Sequence, residues 1–455
     1  MPLSLQRLTW SVVVASMALS AHGHVGAGQS PAGAETVEPV ETVEPDETDE
    51  TDEALEAART AAAKEVGFSD RDAAWIGTGI TRLLAMQEGE ARDQWPYEGV
   101  YRVRGGIPVG YRVGGTSIVA MTLMQAPGLN EDPPRREAVL RAAKFVANAI
   151  DDRLMDPDYR GGYDVRGWGY AYGLRFLVRL EASGLLDRDP GLARAVARAI
   201  DFYIGGLEAT EIPNVGGWNY ARRGPLDVPS PAAPFMTAPC LRSLLEARAA
   251  GHEVEDGPID RGLDSLERCR GADGTYAYSG DGRGRVDPAS RPGAIGRMVA
   301  GDALLRSANR IGAEDLRRSL ESFFAYWDEL EVRRAQTGTH VAPYGVAPYY
   351  FMYAHGAAGE AIECLPREWR PAFRRALRGR LDQVRGEDGT WNDRIFPRSA
   401  NYGTALALDA MLASIGPAIP EWRPSESDAG GNPEEVRGLK TSKGPDIPAR
   451  EADDS

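Results

Sequence analysis

The sequence predicts an all-α fold, an (α/α)6 toroid of about six helix pairs, and three observations carry that prediction. First, one unit recurs along the chain: a charged helix-compatible run, a glycine turn with an aromatic, then a run of small and apolar residues. Second, the turn aromatics stand 47 to 68 residues apart, a period that suits stacked helical pairs. Third, strand-type alternation is poor throughout, and the Gly-Gly and Pro breaks fall between the helical runs.

Taken in order, residues 1–23 read as a secretory signal peptide. Arg7 precedes the apolar run Leu8 to Leu19, and Ala18, Ser20, Ala21 and Gly23 offer small residues for cleavage. About twelve apolar residues are too few to cross a bilayer. The expectation is therefore a secreted or periplasmic protein with no transmembrane span in the mature chain. Residues 24–53 read as a disordered acidic linker, because 35–53 carry ten acids and no base and have no apolar face to dock. Residues 54–422 form the predicted toroid domain. The tail, 423–455, is rich in Ser, Gly, Pro and charge and is expected to be disordered.

Six turns punctuate the domain. Their aromatics are Trp95, Tyr163, Trp218, Tyr276, Tyr344 and Trp391, the fifth in a degenerate context, Val341-Ala342-Pro343-Tyr344-Gly345. Small-residue runs follow the turns at Thr116–Met124, Tyr170–Leu180, Thr237–Ala247, Ile295–Leu305, Tyr349–Ala358 and Thr404–Leu412. More charged runs precede them, among them Arg135–Arg153, Leu192–Tyr203, Leu316–Trp327 and Pro371–Val384. A charged amphipathic helix wets one face, and an Ala-rich helix with few charges is buried nearly all round. Alternation of the two types predicts an outer and an inner layer, and six pairs can close so that no end needs a polar cap.

The formal charge of -15 sits mainly in the linker and tail, leaving a near-neutral domain. No electrostatic footprint for nucleic acid exists there. The three cysteines, Cys240, Cys269 and Cys364, allow one disulfide with a free thiol, or three buried thiols. No CxxC pair exists to support a zinc ribbon.

The repeat resembles that of the prenyltransferase and squalene–hopene cyclase superfamily, in which a glutamine at the end of an outer helix precedes Gly-x-Trp. Gln383 with Gly389-Thr390-Trp391 matches fully, and Gln87 with Trp95 keeps the glutamine and the tryptophan but has Asp93 in place of the glycine. Gly216-Gly217-Trp218 and Gly274-Thr275-Tyr276 keep the turn without the glutamine, and Gly161-Gly162-Tyr163 is weaker. The resemblance spans about residues 75–415 and implies the α/α toroid. It assigns the six turn aromatics a structural role, with the ring packed over a helix end.

For chemistry the resemblance implies less. Cyclases of the superfamily protonate a polyene with Asp-x-Asp-Asp at the mouth of an inner helix. The corresponding places here are Gly115-Thr116, Gly169-Tyr170, Met236-Thr237, Gly293-Ala294, Pro348-Tyr349 and Tyr402-Gly403, none with a carboxylate. Prenyltransferases hold zinc through Asp, Cys and His; Cys240 and His355 stand on inner helices, but Ala238 replaces the aspartate of Asp-x-Cys. No metal and no cofactor are expected, and no catalytic residue is assigned. Thioester toroids need Cys-Gly-Glu-Gln, which is absent. Carbohydrate-active α/α barrels use paired carboxylates, and Asp164, Asp227, Asp281, Asp287 and Asp393 lie on turn loops.

The richest aromatic stretch, Ala347 to His355, predicts with α-helical neighbours a cavity lined by Trp168, Tyr170, Tyr172, Cys240, Tyr349, Tyr350, Tyr353 and His355. The expected function is an exported, catalytically silent toroid that binds a protein or an apolar small molecule centrally. The alternative is a diverged terpenoid-cyclase-type or carbohydrate-active α/α-barrel enzyme.

Overall fold

The computed structural model describes residues 47–159, 165–220, 225–280, 290–334, 336, 338 and 340–424. The expected signal peptide, residues 24–46 of the linker, the Tyr163 turn with Asp164, the loop holding Asp281 and Asp287, and the tail from 425 lie outside these residues. Fourteen α-helices are described: α1 Glu47–Glu65, α2 Asp70–Ala85, α3 Val109–Gln125, α4 Pro133–Asn148, α5 Arg166–Glu181, α6 Pro190–Thr210 and α7 Pro234–Ala249. They continue as α8 Asp256–Cys269, α9 Arg291–Ser307, α10 Ala313–Ala325, α11 Trp327–Glu331, α12 Tyr350–Glu363, α13 Arg370–Gln383 and α14 Ala400–Leu412.

Six of them, α3, α5, α7, α9, α12 and α14, pack side by side in a ring, and α14 returns against α3. Outside run α2, α4, α6, α8, α10 and α13, each leading through a turn into its inner partner. The layers follow from composition. Along α3 every residue from Val113 to Leu123 is buried, whereas on α13 only Leu377 and Leu381 are. The sequence-predicted toroid is the fold found.

Local chemistry starts the outer helices where they start. Asp132 and Asp189 each precede a proline, and their carboxylates accept from the backbone N–H of Arg135 (3.1 Å) and Leu192 (2.9 Å). Helix α1 begins at Glu47, seven residues before the expected start of helical structure at Ala54. Arg59 fixes it to the domain through both oxygens of Asp132, at 2.7 and 3.2 Å.

Three turns repeat one geometry. The Trp95, Trp218 and Trp391 backbone N–H groups donate to Thr116, Thr237 and Thr404 at 2.9, 3.0 and 3.1 Å. Their indole N–H groups donate to the carbonyls of Leu83, Leu207 and Leu381, at 2.6, 2.8 and 2.8 Å, near the ends of the preceding outer helices. Each tryptophan therefore ties an outer helix to the inner helix that follows. Gly389, at φ +85°, makes the left-handed bend that this path requires. Tyr276 is likewise buried, donating to Asp302 at 2.9 Å. Tyr344 departs from expectation: it is 40% exposed. In that repeat the buried ring is Trp327 of α11, packed on Phe351 and bonded to His355.

All three cysteines are free, Cys240 and Cys269 buried and Cys364 partly so. No helix among the described residues is long and apolar enough to cross a membrane.

Candidate functional site at the toroid centre

The inner helices run parallel, so the ring has an end made of their N-termini and an end made of their C-termini. At the first end the centre is filled by rings. Tyr97 lies 4.5 Å from Tyr402 and 5.4 Å from Trp168, centroid to centroid, and Phe235 lies 4.3 Å from Tyr353 and 5.0 Å from Tyr350. The Tyr349 hydroxyl meets the Tyr220 hydroxyl at 3.1 Å. The space left among these rings is about 10 Å³, no more than a single water needs.

Three polar groups around the Tyr97 ring are buried without a hydrogen-bond partner on any other residue: the Trp168 indole N–H, the Asn401 side-chain oxygen and the Asp393 carboxyl, which meets only its own backbone N–H. Asn401 spends its amide on the Pro96 carbonyl at 3.1 Å. Asp393 is completely buried, and burial pushes its carboxyl up to about 7 against the pull of Arg394. Arg394 itself donates to the Tyr97 hydroxyl at 3.1 Å. A carboxyl in this state is largely neutral below pH 7 and can donate a hydrogen bond.

At the opposite end the centre is charged. Glu246 of α7 takes Arg175 at 3.1 Å, Arg179 at 2.9 Å and Arg242 at 2.7 Å. Burial alone would lift its carboxyl, but these arginines together hold it far below the ordinary range. Arg175 also pairs with Glu360 of α12. Burial and the neighbouring Glu360 raise Asp409 of α14.

Of the expected lining residues, Trp168, Tyr172, Tyr349, Tyr350 and Tyr353 stand in the centre. Tyr170 does not. Two positions from Trp168 on α5, it faces outward onto Phe202 and Tyr203 and donates to the Met155 carbonyl. His355 faces outward for the same reason, two positions from Tyr353. It bonds the Phe351 carbonyl at 2.7 Å and accepts from Trp327 at 2.9 Å, and burial lowers its imidazole to about 4. Cys240 is fully buried but bounds neither central space, and burial raises its thiol. Asp302 is consumed by Arg270, Tyr276 and Ser319. No group of three or more His, Cys, Asp or Glu among the described residues could hold a metal ion.

Sequence reasoning missed Tyr97, Tyr111, Phe235, Tyr402 and the whole charged end. The arginines and acids had left a signal: Arg175/Arg179 and Arg242/Glu246 are charges at helical spacing inside runs otherwise composed of small residues. Two of the six positions set against the cyclase acid motif, Gly115 inside α3 and Gly403 inside α14, are closed to a side chain by packing. A Cβ on Gly403 would fall 2.4 Å from the Trp391 carbonyl oxygen, and one on Gly115 would fall 2.5 Å from that of Trp95. No carboxylate fits at either.

A closed double ring of helices around an aromatic centre is an α/α toroid, and the chain resembles the prenyltransferase and squalene–hopene cyclase superfamily. No family model matches it. Over 181 residues it is 32% identical to the drimenyl diphosphate synthase of Streptomyces showdoensis, a stretch covering 40% of this chain and 30% of that enzyme. In three dimensions it is similar to the unsaturated glucuronyl hydrolase of Bacillus sp. GL1, with a TM-score of 0.51 and 15% identity over 74% of this chain and 95% of that one. The type II terpene cyclase MstE from Scytonema gives 0.46 at 15% identity, covering 76% and 99%.

Proposed function

We propose that this chain is an exported toroid that binds an apolar ligand carrying one oxygen function at its aromatic end, without cyclising a polyene. The observation that carries this reading is the set of unpartnered polar groups on Trp168, Asp393 and Asn401 around the Tyr97 ring. Buried donors and acceptors are nearly always paired, so these groups call for a partner, which a ligand oxygen or an ordered water can supply. The aromatic walls suit a hydrocarbon, and a neutral Asp393 suits its oxygen. The rings must part to admit such a ligand, since about 10 Å³ holds none.

Cyclisation is disfavoured by acidity. Attack on an alkene requires a strong acid held by neighbouring acids and water, and Asp393 is a lone carboxyl made weaker by burial. The second reading, a diverged cyclase-type enzyme, is favoured by Asp393 as a buried acid beside aromatic rings and by the similarity to drimenyl diphosphate synthase. Native mass spectrometry of protein from its own host, with incubations of squalene and of farnesyl diphosphate, separates the two. A retained apolar molecule without turnover supports binding. Product formation abolished by Asp393→Asn establishes the enzyme instead.

A further inference from the structure

The charged end of the centre is a separate place from the aromatic one. Below Tyr172 and Tyr353 lies a chamber of about 50 Å³, bounded by Arg175, Arg242, Glu360 and Asp409 and by the small apolar side chains of Ala238 and Ala303. Arg242 is only 3% exposed, yet its Nη1 has no hydrogen-bond partner. Its Nη2 donates to the Pro417 carbonyl at 3.2 Å and stands 3.8 Å from Glu360, and its Nε lies 2.7 Å from Glu246 without the alignment of a hydrogen bond. Every guanidinium N–H is a donor with no alternative state, and leaving one without an acceptor at this depth is costly.

The charges around the chamber do not count equally. Arg175, Arg179 and Arg242 are fixed positive charges. Glu246 and Glu360 stay ionised, because the arginines outweigh the effect of burial on each. Asp409 alone is raised, by burial and by Glu360, so it is the carboxylate that takes up a proton first. Once it does, three positive charges face two negative ones.

We infer that this chamber binds a small monoanion, a carboxylate group by preference, with Arg242 as its principal donor and Asp409 taking up a proton as the anion enters. A planar guanidinium matches a carboxylate in geometry as well as charge. The chamber's size suits the carboxylate and a carbon or two, and its alanines suit the hydrocarbon part. The approach is a wider mouth of about 210 Å³ that shares Arg179, Glu360, Asp409 and Ile419 with the chamber. Residues after α14 cross this mouth, placing Ile419 between the two spaces, and Trp422 anchors them by donating to Asp260 at 2.8 Å.

The groups that set the pH dependence come from each element around Asp409. From α5 come Tyr172, Arg175 and Arg179; from α7, Arg242 and Glu246; from α12, Tyr353, Glu360, Glu363 and Cys364. Arg306 of α9 and Glu421 stand at the mouth. Among the carboxylates here whose titration is displaced, only Asp409 is moved upward, so acidification acts through it.

The test is calorimetric titration of the full chain with formate, which stays ionised at both about pH 5.5 and about pH 7.5. Binding should be roughly tenfold tighter at the lower pH, because each pH unit above a linked pKa costs up to tenfold. Asp409→Asn should bind at the higher pH as the unmodified protein does at the lower, and lose the dependence. Arg242→Gln should bind at least about tenfold more weakly. Equal affinity at both pH values, or no binding by the folded Asp409→Asn protein, overturns the inference. Should Arg242→Gln fail to fold, the Asp409→Asn titration alone decides. Decanoate in a parallel titration assigns the source: tighter than formate, the site takes the head of a longer acid; equal, a free small anion.

Discussion

Trp391→Ala tests whether the turn aromatics hold the toroid together. The indole is 1% exposed, edge-on to Trp75 at 5.9 Å, and bonded through Nε1 to Leu381 at 2.8 Å. Deleting a buried tryptophan costs about 3–5 kcal/mol in transfer and cavity terms. Over roughly 370 residues, at about 2.1 cal/mol/K each, that is a fall in melting temperature of about 4–6 °C. Trp391→Phe keeps most of the apolar contact and removes one of two hydrogen bonds to the Leu381 carbonyl, which still accepts from Val384 at 3.3 Å, so it should cost only about 1–2 kcal/mol. Urea unfolding followed by circular dichroism measures both. If Trp391→Ala melts within a degree of the unmodified protein, or if the two variants lose equal stability, the indole does not seal the seam between α13, α14 and α2.

Asp393→Asn should change how stability depends on pH. The folded carboxyl sits near 7, above its unfolded value, so the folded state binds more protons between about pH 4 and 7 and loses stability as pH rises through that window. The variant should be more stable than the unmodified protein above pH 7, by up to about 4 kcal/mol, and no better near pH 4; melting curves showing a pH-independent difference would refute this. Asp132→Ala strands the buried guanidiniums of Arg59 and Arg135 and should cost about 3–5 kcal/mol in urea melts. Thr404→Val removes the acceptor of the Trp391 N–H together with a longer bond donated to the Trp391 carbonyl, and should cost about 1–3 kcal/mol, with Thr116→Val and Thr237→Val close to it. A spread larger than that cost across the three would deny their equivalence.

The toroid was legible because a tryptophan after the outer helix and a threonine on the next inner helix recur at Trp95, Trp218 and Trp391, with a turn glycine at the last two. The helix faces were legible too, but only at the correct spacing. Trp168 and Tyr172, four apart, share the central face, whereas Tyr170 lies on the reverse. The same rule separates Tyr353 from His355. Tyr97 and Asp393 were harder to place, since each sits in a turn whose path into the centre no periodicity records. Tyr344 is left in solvent because Trp327 of α11 takes the buried place in that repeat. The charged end was hidden for a different reason: pairing between Arg175 and Glu246 joins residues 71 apart.

Closure of the ring has a consequence for how the protein comes apart. Thr122 of α3 donates to the Ala405 carbonyl at 3.2 Å, and Gln125 donates to that of Leu412 at 2.8 Å, joining the first inner helix to the last. An open helical array can fray inward from its ends, one repeat at a time. Here the first repeat leans on the sixth, so no repeat is terminal and loosening either one breaches the same joint. Unfolding should begin as a single event at that joint and then run to completion, and a chain recut at another loop, with the natural ends linked, should still find its shape.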